Sequence, residues 1–354
     1  MKKLLFFLLA LLPTTLVLAG DPPKHITFGG QTNHVQGIVW DEVRELLYMS
    51  FTTRFIIVDG NGNLKGSVDK IHGHLGAMTW DPVGRKVYAS LEHKADEIGA
   101  SISRTLGVKT YSETQFFVAE IDVDAITSVG TPMEDVMTLH EIYPAEEDFL
   151  AKVTVDGQTL DHRYGCSGID GVAIAPGFAG DKHRYLYVAY GIYGDVKRTD
   201  NDHQVILRYR IGKLNRKPEK FFVRTGNTTY GVQNMAYDAH SGLLFLAVYP
   251  GRKPELPNYN LFAIDLSVKP RKAHLDQVPY HSRKTNLLTL TSPEGWHFPY
   301  GSTGLCPLAD GKWYFALPSN IKSGEGKGHA CDATLYQWNG TKASTPFTPI
   351  NDKH

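Results

Sequence analysis

Five times along this chain, a short apolar run ending near Asp or Pro is followed by a tight polar turn and a second apolar run rich in Tyr, Ala and Ser. The first runs open at His34-Val35-Gln36-Gly37-Ile38, His74-Leu75-Gly76-Ala77-Met78, Gly168-Ile169-Asp170-Gly171-Val172, Gly231-Val232-Gln233-Asn234-Met235 and Ser302-Thr303-Gly304-Leu305. The second runs lie at residues 46–50, 86–90, 185–190, 243–249 and 312–317. Runs this short, rich in β-branched and aromatic residues and bounded by Gly, Asn, Asp and Pro, read as strands. With the two runs that follow, each copy supports four. The predicted strands are 35–40, 46–50, 54–59 and 64–70; 75–80, 86–91, 115–122 and 136–142; 169–173, 185–190, 204–211 and 220–225; 232–237, 243–249, 261–266 and 286–291; and 303–308, 312–317, 333–338 and 345–350. Helical spacing is scarce, and residues 134–150 are the one stretch where a turn or two fits.

Four-stranded units repeated about every 60 residues predict an all-β fold, a β-propeller. The count gives five blades; a sixth would have to come from the long interval between the second and third copies. A sandwich would not explain the repetition. Residues 25–28 are expected to add an outer strand that closes the ring. In such a ring the loops between second and third strands all reach one face. Here they are long in four copies, at residues 93–114, 191–203, 250–260 and 318–332, while first-to-second turns such as 41–45 and 81–85 are short. Long loops on a rigid scaffold are where binding groups are placed.

Lys2 and Lys3 precede an apolar run over residues 4–18, and Val17-Leu18-Ala19 supplies small residues at a cleavage position. Residues 1–19 therefore read as a secretory leader and residues 20–354 as one propeller domain, exported to the periplasm or the cell exterior. The run is short and broken by Pro13, so no membrane span is expected. Lys plus Arg and Asp plus Glu number 37 each, which leaves no basic excess to suggest a nucleic-acid partner. The three cysteines cannot all pair. Cys306 and Cys331 share the last copy and are candidates for a bridge, and Cys166 reads as a small buried residue.

Equivalent positions leading into the innermost strands are Gln36, Gly76, Asp170, Gln233 and Thr303, with His34 and His74 two residues earlier in the first two copies. Polar groups facing a shared channel are costly unless they bind each other, water, a metal or a ligand. His34 and His74 are candidate general bases or, with Asp170, ligands for one divalent ion, with Ca, Mn and Zn not distinguished. The structural alternative is that each imidazole bonds a backbone carbonyl of the next blade. His93 opens a long loop on the same face and is a candidate to join them. Arg163 beside Tyr164 reads either as an anion clamp with a proton donor or as a packed pair. Arg198 with Asp200-Asn201-Asp202-His203 has carboxylates at metal-compatible spacing but lacks the glycine and distal glutamate of a calcium loop, which favours a solvated loop. Tyr190, Tyr230, Tyr249 and Tyr300 offer flat faces for stacking a sugar, or for blade packing. His297 and His329 lie in loops of the same face. No phosphate-binding Gly loop, GxSxG elbow, HExxH motif or zinc-spaced cysteine pair is present.

The repeated phrase resembles secreted bacterial β-propellers of the YVTN/TolB/NHL-like kind over nearly the whole mature chain. Residues 73–94 and 164–203 are similar to a family of exported gut-bacterial propellers. The resemblance implies the fold and export, and carries no activity. The polar ring and tyrosines lead to the expectation of an exported enzyme acting on a saccharide, a uronate-containing glycan, by lyase or hydrolase chemistry. In the lyase version His34 or His74 takes the α-proton, Arg163 neutralises the carboxylate and Tyr164 protonates the leaving oxygen, with a divalent ion stabilising the developing charge. The alternative is a non-catalytic propeller that binds a glycan or a protein. The expected ligand is a small molecule or oligosaccharide.

Overall fold

Three of the first-to-second-strand turns begin on an aspartate whose carboxylate caps the turn. Asp41 Oδ1 accepts from the amides of Val43 and Arg44 at 3.1 and 3.2 Å. Asp81 Oδ1 accepts from Val83 N at 2.9 Å, and Asp238 accepts from the amides of His240 and Ser241 at 3.1 and 3.0 Å. Such side-chain-to-backbone rings satisfy amides that a tight turn leaves unpaired. They are the physical content of the run–Asp–turn phrase.

The computed structural model describes residues 21–155, 157–275, 284–323 and 326–351. It shows a β-propeller of five blades. Blade 1 is Gly37–Asp41, Leu46–Phe51, Arg54–Asp59 and Leu64–Val68; blade 2 is His74–Asp81, Lys86–His93, Gln115–Asp122 and Met137–Glu141. Blade 3 is Cys166–Pro176, Arg184–Ile192, His203–Arg210 and Glu219–Arg224. Blade 4 has Thr228–Asp238, Leu243–Pro250 and Leu261–Asp265 as its ladder, and blade 5 has Leu305–Pro307, Lys312–Ser323 and Gly326–Trp338. The ring closes as predicted: His25–Gln31 pairs antiparallel with Gly326–Trp338, and Phe347–Pro349 pairs with the far end of the same strand.

Five apolar clusters lie one between each pair of neighbouring blades. Leu47, Met49 and Phe51 face blade 5, packing with Tyr314, Ala316 and Leu335, whereas Tyr48 on the same strand faces blade 2 and packs with Leu75, Val87 and Leu91. Each blade is thus buried on both faces, which is why its strands read as continuous apolar runs and not as alternating ones. The sequence before the third copy folds into the helix Tyr143–Leu150 and the hairpin Lys152–Val155 with Gln158–Asp161, and adds no sixth blade.

Four expectations need correction. The predicted outer strand of blade 4, residues 286–291, instead contributes Thr285–Leu288 to blade 3, parallel to Glu219–Arg224; among the described residues, blade 4 is edged by single bridges from Leu290 to Ile264 and from Trp296 to Leu261. The predicted loop 318–332 is a β-ribbon, paired out to Ser323 and Gly326. The predicted loop 93–114 contains the helix Glu97–Leu106, capped by Asp96 and stopped by Gly107 at φ 68°. Cys306 and Cys331 are free and buried in the cluster between blades 5 and 1, as Cys166 is between blades 2 and 3. The predicted leader lies outside the described residues.

Candidate functional site

The innermost strands of blades 2, 3 and 4 each break register near the axis, between Leu75 and Met78, between Ile169 and Val172, and around Val232. A bulge re-aims the residue it contains. These irregularities fall where Gly76, Asp170 and Gln233 stand, and Asp170 and Gln233 turn into an open cavity of about 440 Å³ on the long-loop face. His34, Gln36, His74, Tyr230 and Tyr249 line the same cavity. Gln36 Nε2 lies 3.2 Å from His34 Nε2, and with the amide as donor that ring nitrogen carries no proton. Gln233 Nε2 donates to Asp170 Oδ2 at 3.1 Å and to Tyr230 O at 2.9 Å. Below them Asn234 Nδ2 bridges Gln36 O and Ser302 O at 2.8 and 2.9 Å, tying blade 4 to blades 1 and 5.

Two charged residues that the sequence reading passed over sit at the centre. Glu92 and Lys94 flank the predicted His93, and their nitrogen–oxygen distance is 3.0 Å, with Glu92 buried and Lys94 largely so. Glu92 Oε1 also accepts from Ile169 N at 3.0 Å, and Lys94 Nζ donates to Ser167 O at 3.2 Å. Burial raises the Glu92 carboxyl against the opposing pull of Lys94. Burial and the Glu92 charge raise Asp170 in the same way. For Lys94 burial works downward, but Glu92 and Asp170 outweigh it and hold the ammonium above its usual range. Burial lowers His34, helped by His329, and burial with Lys94 and His34 nearby takes His74 down to about 4. The cavity therefore combines two imidazoles of lowered pKa with one ammonium paired to Glu92 and the raised carboxyl of Asp170. Tyr230 stands at its rim, 55% exposed and held at φ 64°. Ile98 of the helix Glu97–Leu106 also lines it.

Other sequence candidates lie elsewhere. His93 points away from the axis, bonding His72 O at 3.1 Å and stacking on Tyr111 at 4.4 Å between ring centres. Alternation along the strand explains this: Glu92 and Lys94 share the side that faces blade 3, and His93 takes the side that faces blade 1. Tyr164 is buried against Phe222, and Arg163 lies 3.3 Å from the buried Asp148. Lys220 and Tyr190 also bond Asp148, so Arg163, Tyr164 and Tyr190 belong to packing outside the cavity. Arg198 clasps Asp200 with two bonds of 2.8 Å and two backbone carbonyls at 2.7 Å. The Asp200–His203 stretch, expected as a solvated loop, is buried and holds a lysine: Lys253 Nζ meets Asp202 Oδ1 at 2.6 Å, Arg198 O at 2.6 Å and Asn201 Oδ1 at 3.1 Å. His297 is exposed beside Tyr259, and Tyr300 lines a second depression over blade 5. Among the described residues, no three His, Cys, Asp or Glu side chains are grouped to hold a metal ion.

No family model matches the chain, and no curated protein matches it in sequence. Among solved structures it is similar to hydrazine synthase of Kuenenia stuttgartiensis, at 11% identity over 92% of this chain and 68% of that one, with a TM-score of 0.33. A likeness at that level carries no argument about chemistry.

Proposed function

We propose that the axial cavity binds an uncharged sugar unit and that the protein hydrolyses its glycosidic bond, with Asp170 as the proton donor. The observation that carries this reading is the Glu92–Lys94–Asp170 group beside two imidazoles of lowered pKa. A carboxyl raised by burial and a neighbouring carboxylate keeps its proton toward neutral pH, as a general acid must. In the reaction Asp170 gives its proton to the leaving oxygen as the anomeric C–O bond breaks. Water attacks the anomeric carbon, and its proton passes to His34 or His74. Exchange with solvent restores both groups.

Uronate lyase chemistry fits less well. Lys94 is the one Lys or Arg among the described residues lining the cavity, and two carboxyls already face it. Arg163 and Tyr164, assigned the other lyase roles, do not reach the cavity. The exposed ring of Tyr230 at the rim favours a second reading, glycan capture without turnover. Export is the companion proposal, supported by the leader-like residues 1–19 and by the resemblance to secreted propellers; fractionation of expressing cells tests it, and retention in the cytoplasm counts against it.

The experiment is reducing-end release and calorimetric binding on neutral and acidic oligosaccharides, for the wild type and Asp170→Asn. Loss of about 10²- to 10⁴-fold in turnover with binding retained supports the general acid. Binding without turnover in the wild type replaces hydrolysis with capture. Neither binding nor turnover on any saccharide refutes both.

A further inference from the structure

The axial cavity has a neighbour. A second depression of about 430 Å³ lies over blade 5, and His34 and Tyr249 line both. The two cavities are therefore adjacent, each within the roughly 300–1,000 Å³ of small-molecule sites. They differ in chemistry. Glu92, Lys94 and Asp170 are all in the first, whereas the described residues lining the second include no Asp, Glu, Lys or Arg. It offers Tyr300, Ser302, Thr303, Ser319 and Asn320, with His34 and His329 at 6.3 Å between ring centres. That lining is supported from behind. Asn320 and His329 are directly opposite in the ribbon of blade 5, and His329 is also in register with Gln31 of the closing strand. Tyr300 is braced by Phe298 at 5.5 Å and Tyr336 at 6.0 Å between ring centres.

We infer that the blade 5 cavity is a second sugar subsite, so that the ligand is a neutral oligosaccharide of at least two units running from the axis across blade 5. Tyr300 supplies an aromatic face for the second ring and Asn320 bonds its hydroxyls. An aromatic plate with neutral amides and hydroxyls suits a polyhydroxylated ring, and its described residues supply no Lys or Arg to pair with a carboxylate or phosphate. The inference rests on the saccharide reading above and adds the chain length and the neutrality of the second unit.

Calorimetric titration with gluco-, xylo- and manno-oligosaccharide ladders, from monosaccharide to pentasaccharide, tests it on the wild type, Tyr300→Ala and Asn320→Ala. For the ladder that binds, the wild type should gain at least 10-fold in affinity from one unit to two, and the ratio should fall toward one in both variants. Asn320 is exposed, so its truncation leaves folding intact should Tyr300→Ala disturb packing. Affinity independent of length, with both variants like the wild type, overturns the second subsite and leaves the axial sugar site standing. No binding by the wild type at any length brings down both.

Discussion

Replacing Lys94 with Met probes the centre of the site most directly. The ammonium sits 3.0 Å from Glu92 Oε2, with the two side chains only 15% and 4% exposed. Removing one partner of a buried pair leaves the other charge uncompensated and costs about 3–5 kcal/mol, a large share of a typical stability of about 5–15 kcal/mol. The loss should depend on pH. Glu92 and Asp170 have folded pKa values raised above their unfolded ones. Their contribution is most favourable below the unfolded carboxyl range and is lost as pH rises through the raised values. Without Lys94 both rise further, so the penalty is small near pH 4 and grows toward pH 8. Lys94 itself is raised, so in the wild type its stabilisation persists through neutrality and fades only above the ordinary lysine range. Urea denaturation followed by tryptophan fluorescence at several pH values measures this, with Glu92→Gln/Lys94→Met closing the cycle. The double variant should regain about 1–3 kcal/mol relative to additivity. A loss below about 1 kcal/mol at pH 8, or one of equal size at acid pH, would refute the argument that a buried ion pair organises the cavity.

Gly168 has φ 146°, and a Cβ there would collide with Glu92 Oε1. Gly168→Ala should therefore displace Glu92 from Ile169 N and cost about 1–3 kcal/mol, read by thermal denaturation; an unchanged midpoint means the carboxylate is not seated by the missing side chain. Lys253→Met should cost about 3–5 kcal/mol by leaving Asp202 unpaired in the blade 3 corner, and adding Asp202→Asn should recover most of it. A single variant as stable as the wild type by urea denaturation would remove the lysine's role as the clamp of that corner.

The strands and blades were legible because every blade buries both faces and because aspartate-capped turns recur. The ribbon beyond Leu317 was not. Its Gly, Ser and Lys residues look like loop, yet a hairpin out of the sheet needs only backbone pairing and no apolar face. The helix Glu97–Leu106 carried its signals in Asp96, Gly107 and the spacing of Ile98, Ile102 and Leu106, but the strand pattern on either side masked them. Gln36, Asp170 and Gln233 were found because the repeats align them. Glu92 and Lys94 were missed by one step of phase: the alternation that turns Tyr88 and Ser90 toward blade 3 already placed them on that side, at the end of the strand nearest the cavity, while the imidazole between them pointed the other way. Arg163 and Tyr164 were misplaced because adjacency in sequence says nothing of the Asp148 that gathers one of them behind the blade.

The strand that closes the ring has a consequence for the order of events in folding. His25–Gln31 is made some 300 residues before its partner Gly326–Trp338. At synthesis rates of about 5–20 residues per second, the two are separated by tens of seconds. Through that interval the first strand has no ladder to join and the first blade leaves Trp40, Leu47 and Met49 uncovered on the side where blade 5 will pack. Ring closure therefore waits on a contact spanning some 300 residues. The vulnerable species is a nearly complete arc of blades with two open edges, prone to pair with another such arc before its own ends meet.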